Sequence, residues 1–121
     1  MKYVLMFVNN VEDFEQWERM PTVEQKEVYD RIFRWFDEHS RGGRILRGGA
    51  ELQGPHTATT VRFKGDQPLV TDGPFMETKE VVGGFTLIDV PDLDAAIALA
   101  KSWPGRSIVE IRPTVDHGEA G

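Results

Sequence analysis

Asp72, Glu77, Lys79 and Glu80 fall within the nine residues "DGPFMETKE", with Thr78 between them. Two carboxylates held close together raise the pKa of one of them, which is what general acid–base chemistry at neutral pH requires. Arg62, on an apolar-alternating stretch just upstream, can receive a ligand carboxylate through its planar fork. It can equally pair with Glu77 or Glu80 and hold a hairpin together. His56, in "GPHTATT", is the best-placed imidazole for proton transfer, and a surface loop position explains it as well. Asp72 and His56 are therefore the candidate catalytic residues. Arg62, Asp72, Gly73, Pro74, Phe75, Glu77, Lys79 and Glu80 are the candidate ligand-binding set. The bland reading of the same stretch is a turn, because Gly73 accepts positive φ and Pro74 fixes the residue after it.

Much else is excluded by what the chain lacks. With no cysteine there is no disulfide framework, thiolate nucleophile or thiolate metal site. Three histidines, His39, His56 and His117, share no metal-ligand spacing, so no metal is expected. Neither a phosphate loop nor a dinucleotide fingerprint is present, so no tightly bound cofactor is expected. A net charge of -6 without a basic run argues against nucleic-acid and membrane-surface partners. "MKYVLMFVNN" reads as a strand, not a secretion signal or a membrane span, and a cytoplasmic location is expected.

The 121 residues suit one domain, drawn here as 1–113 with a loose tail at 114–121. Tyr3 to Val8 is apolar on both alternating sets, which predicts a strand covered on both sides. "VEDFEQW" predicts a helical turn, and a long helix follows Pro21 with Val28, Ile32 and Phe36 on one stripe, ending near Ser40. Strands are predicted over Arg44–Ala50, Thr57–Phe63, Pro68–Thr71, Phe85–Val90 and Ile108–Arg112, the second and third joined by a "KGDQ" turn. Asp92 is placed to cap a second helix bearing Leu93, Ala96, Ile97 and Ala100. This order is a split β-α-β arrangement of ferredoxin-like type with an added hairpin. Its helices cover one sheet face only, so a second copy of the sheet is expected on the other, in a homodimer. Gly83-Gly84 predicts a bulge or a close approach. Phe75, after a sharp turn, is expected to plug the core or to line a pocket.

The run "TDGPFMETKE", followed by "GGFTLIDVPDLDAAIALA" and "VEIRP", with "MKYVLMFV" and "ATTVRF" upstream, resembles the YCII-related family over nearly the whole chain. Within it, the likeness is to the subgroup that carries a DGPF tetrapeptide. The resemblance implies a dimeric α+β barrel of ferredoxin-like topology, and a possible link to stress or regulatory systems through neighbouring sigma factors. It supplies no settled activity. Some members carry a His-Asp pair proposed as catalytic, for which no residue-by-residue match is found in this chain. Two functions follow: a homodimeric module binding a small ligand or a protein, with the motif as a structural hairpin, or a small enzyme acting by acid–base chemistry.

Overall fold

The first strand sets the orientation of everything packed on it. In the computed structural model, which describes residues 1–76 and 78–118, β1 (Lys2–Asn10) buries Tyr3, Leu5 and Phe7 and leaves Val4, Met6 and Val8 half-exposed. Around it lie β2 (Ala50–Glu51), β5 (Glu80–Asp89) and β6 (Ile108–Pro113), in a four-stranded antiparallel sheet of order β2-β5-β1-β6. Across the buried face, Tyr3, Leu5 and Phe7 stand opposite Ile88, Thr86 and Gly84 on one side and Pro113, Ile111 and Val109 on the other. Three helices complete the body: α1 (Val11–Arg19), α2 (Thr22–Arg41) and α3 (Leu93–Lys101). One helical crossover in each half and this strand order are compatible with a ferredoxin-like α+β fold.

Helix boundaries follow local chemistry. The Asn10 side chain accepts from the Asp13 backbone N–H at 2.8 Å, capping α1, and Asp92 accepts from Ala95 N–H at 2.9 Å, capping α3 as predicted. The buried stripes differ from expectation. On α2 the most buried side chains are Trp35 and His39, with Val28, Ile32 and Phe36 half-buried, and Phe33 is 62% exposed. On α3 Ala96 and Leu99 go inward while Leu93, in the first turn, is 51% exposed.

Aromatic packing locks the helices to the strand. Phe7 stacks on Trp103 with centroids 4.0 Å apart and meets Trp35 and Phe36 edge-on. The Trp35 indole N–H donates to Ser102 Oγ at 2.8 Å, so a buried polar group is satisfied across the α2–α3 seam.

The predicted strand at Arg44–Ala50 forms only in fragments. Ile45 bridges Ile88, and a ladder resumes at Ala50 and Glu51 opposite Phe85 and Gly84. Between them Gly49 passes so close to β5 that a Cβ there would lie 2.5 Å from the Phe85 carbonyl oxygen. On β5 itself the ladder slips between Phe7 and Val8, leaving Gly83 unpaired, and a Cβ on Gly84 would lie 3.1 Å from the Ala50 carbonyl. The double glycine therefore serves both predicted purposes, a bulge and a close approach.

β3 (Thr59–Lys64) and β4 (Gln67–Asp72) form a separate two-stranded sheet, turned at Gly65-Asp66. This is the added hairpin. Val61, Phe63, Leu69 and Val70 on it are all exposed. At the other end of the chain, the Thr114 N–H donates to the Lys2 carbonyl at 3.0 Å, and residues 115–118 follow without regular structure. Positions 119–121 of the expected tail lie outside the described residues. No helix among the described residues is long and apolar enough to cross a membrane.

Candidate ligand-binding cavity

Where α1 and α2 lean away from the sheet, a cavity of about 1230 Å³ opens between them and the β2–β5 edge. Gly48, Gly49, Gly54, Gly83, Gly84 and Gly105 all line it, so backbone forms much of the floor, and at Gly49, Gly54 and Gly105 a Cβ would collide with the neighbouring wall. The opposite walls carry the rings of Phe14, Trp17, Tyr29, Phe33 and Phe36, with Phe7 and Trp103 at the inner end. An apolar enclosure with a few convergent polar groups is the usual form of a small-molecule site.

The polar groups gather at one corner. Tyr29 donates its hydroxyl proton to Glu51 Oε1 at 2.7 Å, linking α2 to β2 across the opening. Burial, then the hydrogen bond to Glu51 and its negative charge, push the Tyr29 phenol up from 10.0 to about 12, with Trp17 pulling weakly the other way. Tyr29 is thus a neutral donor at any physiological pH. Its ring meets Trp17 edge-on at 5.3 Å and stacks with Phe33 at 5.7 Å. Asp13, Glu18, Arg47 and His56 also line the cavity.

Of the candidate catalytic and ligand-binding residues, His56 lines this cavity, in a short 3-10 turn over Pro55–Thr57, and none of the other described ones does. The others are on or just beyond the hairpin. Asp72 stands opposite Thr59 and Arg62 opposite Leu69, on opposite faces of a two-stranded sheet. No hydrogen bond or ion pair among the described residues joins Asp72 to His56 or Arg62. Arg62 donates instead to the Phe75 carbonyl, Thr60 Oγ1 to the Gly73 carbonyl at 2.7 Å, and the Gly73 N–H to the Ala58 carbonyl at 2.7 Å. Gly73 has φ +97°, so the Asp72-Gly73-Pro74 turn has its predicted form. Lys79 and Glu80 are exposed and lead into β5, with the Lys79 carbonyl accepting the first N–H of α1 at 2.7 Å. Glu77 lies outside the described residues.

Phe75 departs from both predicted alternatives, being 71% exposed. In the protomer it neither enters the core nor lines the cavity. His39, in the last turn of α2, is buried. A helix C-terminus favours a charged imidazole, yet the side chain packs against Trp35, and burial, then the Arg44 charge, lower its pKa while Glu38 opposes them. Its Nδ1 has no hydrogen-bond partner.

A family model for the YCII-related domain matches residues 1–116. The chain belongs to the YCII-related family. It is also similar to an uncharacterised protein of Rhizobium meliloti (strain 1021), with 29% identity over 117 residues, 93% of this chain and 91% of that one. Neither similarity assigns chemistry, so in this YCII-related chain the cavity's own residues must carry the functional reading. Trp17 and Tyr29 read in the sequence as core or dimer material on helices, and Glu51 as part of a loop, so none pointed to a ligand. The available signal was the two glycine pairs, Gly48-Gly49 and Gly83-Gly84, which the fold brings to the same cleft.

Proposed function

We propose that this YCII-related protein is a homodimeric small-ligand-binding module, a single domain whose ligand occupies the cavity between the α1–α2 pair and the sheet. The observation that carries this reading is the 1230 Å³ aromatic-walled space floored by glycine backbone. A concave, largely apolar cleft with a few polar groups at one corner is the usual form of a small-molecule site.

The dimer rests on a second feature. An isolated two-stranded hairpin is marginal in water, yet β3–β4 projects with Val61, Phe63 and Val70 exposed on one face. Val4, Met6, Val8 and Leu87 offer a second apolar surface on the open side of the sheet. A two-fold partner is the simplest cover for both. The TDGPFMETKE motif then acts as the structural arm of the dimer, as expected for the DGPF subgroup. Acid–base catalysis is the alternative, favoured by His56 on the cavity wall.

Ligand occupancy is tested by nuclear magnetic resonance with benzyl alcohol as a neutral probe. Trp17 and Trp103 line the cavity and Trp35 is buried behind it, so the first two indole N–H signals should shift most. Unmoved signals for both at millimolar probe would remove the reading.

A further inference from the structure

The cavity's aromatic corner has a charge character that narrows its ligand. Trp17 and Phe33 each pack on the ring of Tyr29, and Glu51 accepts that tyrosine's hydroxyl proton in a hydrogen bond. The carboxylates Asp13, Glu18 and Glu51 line this space against a single guanidinium, that of Arg47. None of the three takes part in an ion pair among the described residues. Tyr29 occupies Glu51 Oε1 alone, and no other described residue donates to this carboxylate. Gly84, directly opposite Glu51 across the ladder, withholds the side chain that would fill the space beside it.

We propose that the cavity binds an organic ammonium ion with an apolar body, its cationic head held among Trp17, Tyr29 and Phe33 beside Glu51. This inference rests on the ligand-binding reading above and adds the chemical class. Ring faces attract a cation through their quadrupole, and the attraction grows as water is excluded. A neighbouring unpaired carboxylate adds direct charge complementarity. Tyr29 strengthens the arrangement by remaining protonated, since its hydroxyl then orients Glu51 without adding a competing anion. An anionic ligand would meet three carboxylates and one arginine, and a neutral one would gain at most a hydrogen bond from Glu51, without charge complementarity.

Three probes of similar size separate the possibilities: benzyltrimethylammonium, benzyl alcohol and phenylacetate, each titrated calorimetrically into the full chain. The cation is expected to bind about tenfold more tightly than the alcohol, and phenylacetate most weakly. Glu51→Gln should weaken the cation about tenfold and leave benzyl alcohol unchanged. Glu51 is exposed, so this variant folds, and circular dichroism checks that it does. Trp17→Leu supplies a second variant, expected to weaken the cation more than the alcohol. Equal affinity for the cation and the alcohol, tighter phenylacetate binding, or an equal effect of Glu51→Gln on both probes would overturn the ammonium assignment and leave the cavity reading intact. Failure of all three probes to bind would instead remove the cavity reading, and this inference with it.

Discussion

Replacing Phe63 with threonine should dissociate the proposed dimer while sparing the fold of each protomer. Phe63 is 73% exposed on β3, opposite Pro68, on the same hairpin face as Val61 and Val70, which are 51% and 67% exposed. Burying a phenylalanine side chain completely is worth about 1.5–3 kcal/mol, so the part left in water here represents roughly 1–2 kcal/mol for each protomer. In a two-fold assembly the substitution enters twice, giving roughly 2–4 kcal/mol per dimer. That raises the dimer dissociation constant about 30- to 1000-fold. Threonine keeps a strong strand preference, so the β3–β4 ladder persists. Within the protomer the loss should stay near 0.5 kcal/mol, as for other surface substitutions. Sedimentation equilibrium over a concentration series measures the first effect, and urea unfolding of the dissociated protomer measures the second. A parent chain that sediments as a monomer throughout, or a Phe63→Thr dissociation constant equal to the parent's, would refute the reasoning.

Gly49→Ala should destabilise by about 1–3 kcal/mol in urea unfolding, because its Cβ would lie 2.5 Å from the Phe85 carbonyl and backbone must move. Tyr29 should ionise near 12 in an absorbance titration, in a step that Tyr29→Phe abolishes and that Glu51→Gln moves back toward 10.0. Because the folded state holds that proton longer, stability falls as pH rises above the unfolded value of 10.0. His39 has the opposite sense: its folded pKa is lowered, so the unfolded chain takes up a proton first as pH falls below 6.5, and stability drops in that acid range. His39→Leu should show a flatter dependence of the urea midpoint between neutral and mildly acid pH. Asp92→Ala should cost about 0.5–2 kcal/mol through loss of the α3 cap, measured in the same way.

What could be read from the residues divides by the range of the interactions involved. Periodicity is local, and it set the first strand at Tyr3–Val8 and the α3 cap at Asp92, but it read both faces of that strand as covered where only Tyr3, Leu5 and Phe7 are buried in the protomer. Turn chemistry is local too, and the hairpin and the Asp72-Gly73-Pro74 bend followed from it. The stretch 44–50 was harder. Its composition favours a strand, and only the pairing of two glycine-rich segments from distant parts of the chain shows why the ladder breaks at Gly48-Gly49. His39 shows the same limit: a helix end by itself favours a charged imidazole, while packing against Trp35 removes it from water.

The cavity was the least legible feature, for a physical reason that also bears on its use. A dense run of charges draws attention in a sequence, yet Asp72, Lys79 and Glu80 lie outside the cavity lining, while Asp13, Glu18 and Glu51, scattered in sequence, stand along it. Glu51 and Tyr29 are twenty-two positions apart and unremarkable singly. Only the fold brings an acid, three rings and a glycine floor together, at a stability cost that a packed core would not carry. Such a space persists under selection when something fills it. If benzyltrimethylammonium at saturation raises the urea midpoint of the parent chain but not that of Glu51→Gln, the cavity's emptiness and its acidity have a single explanation, namely a cationic ligand that completes the core.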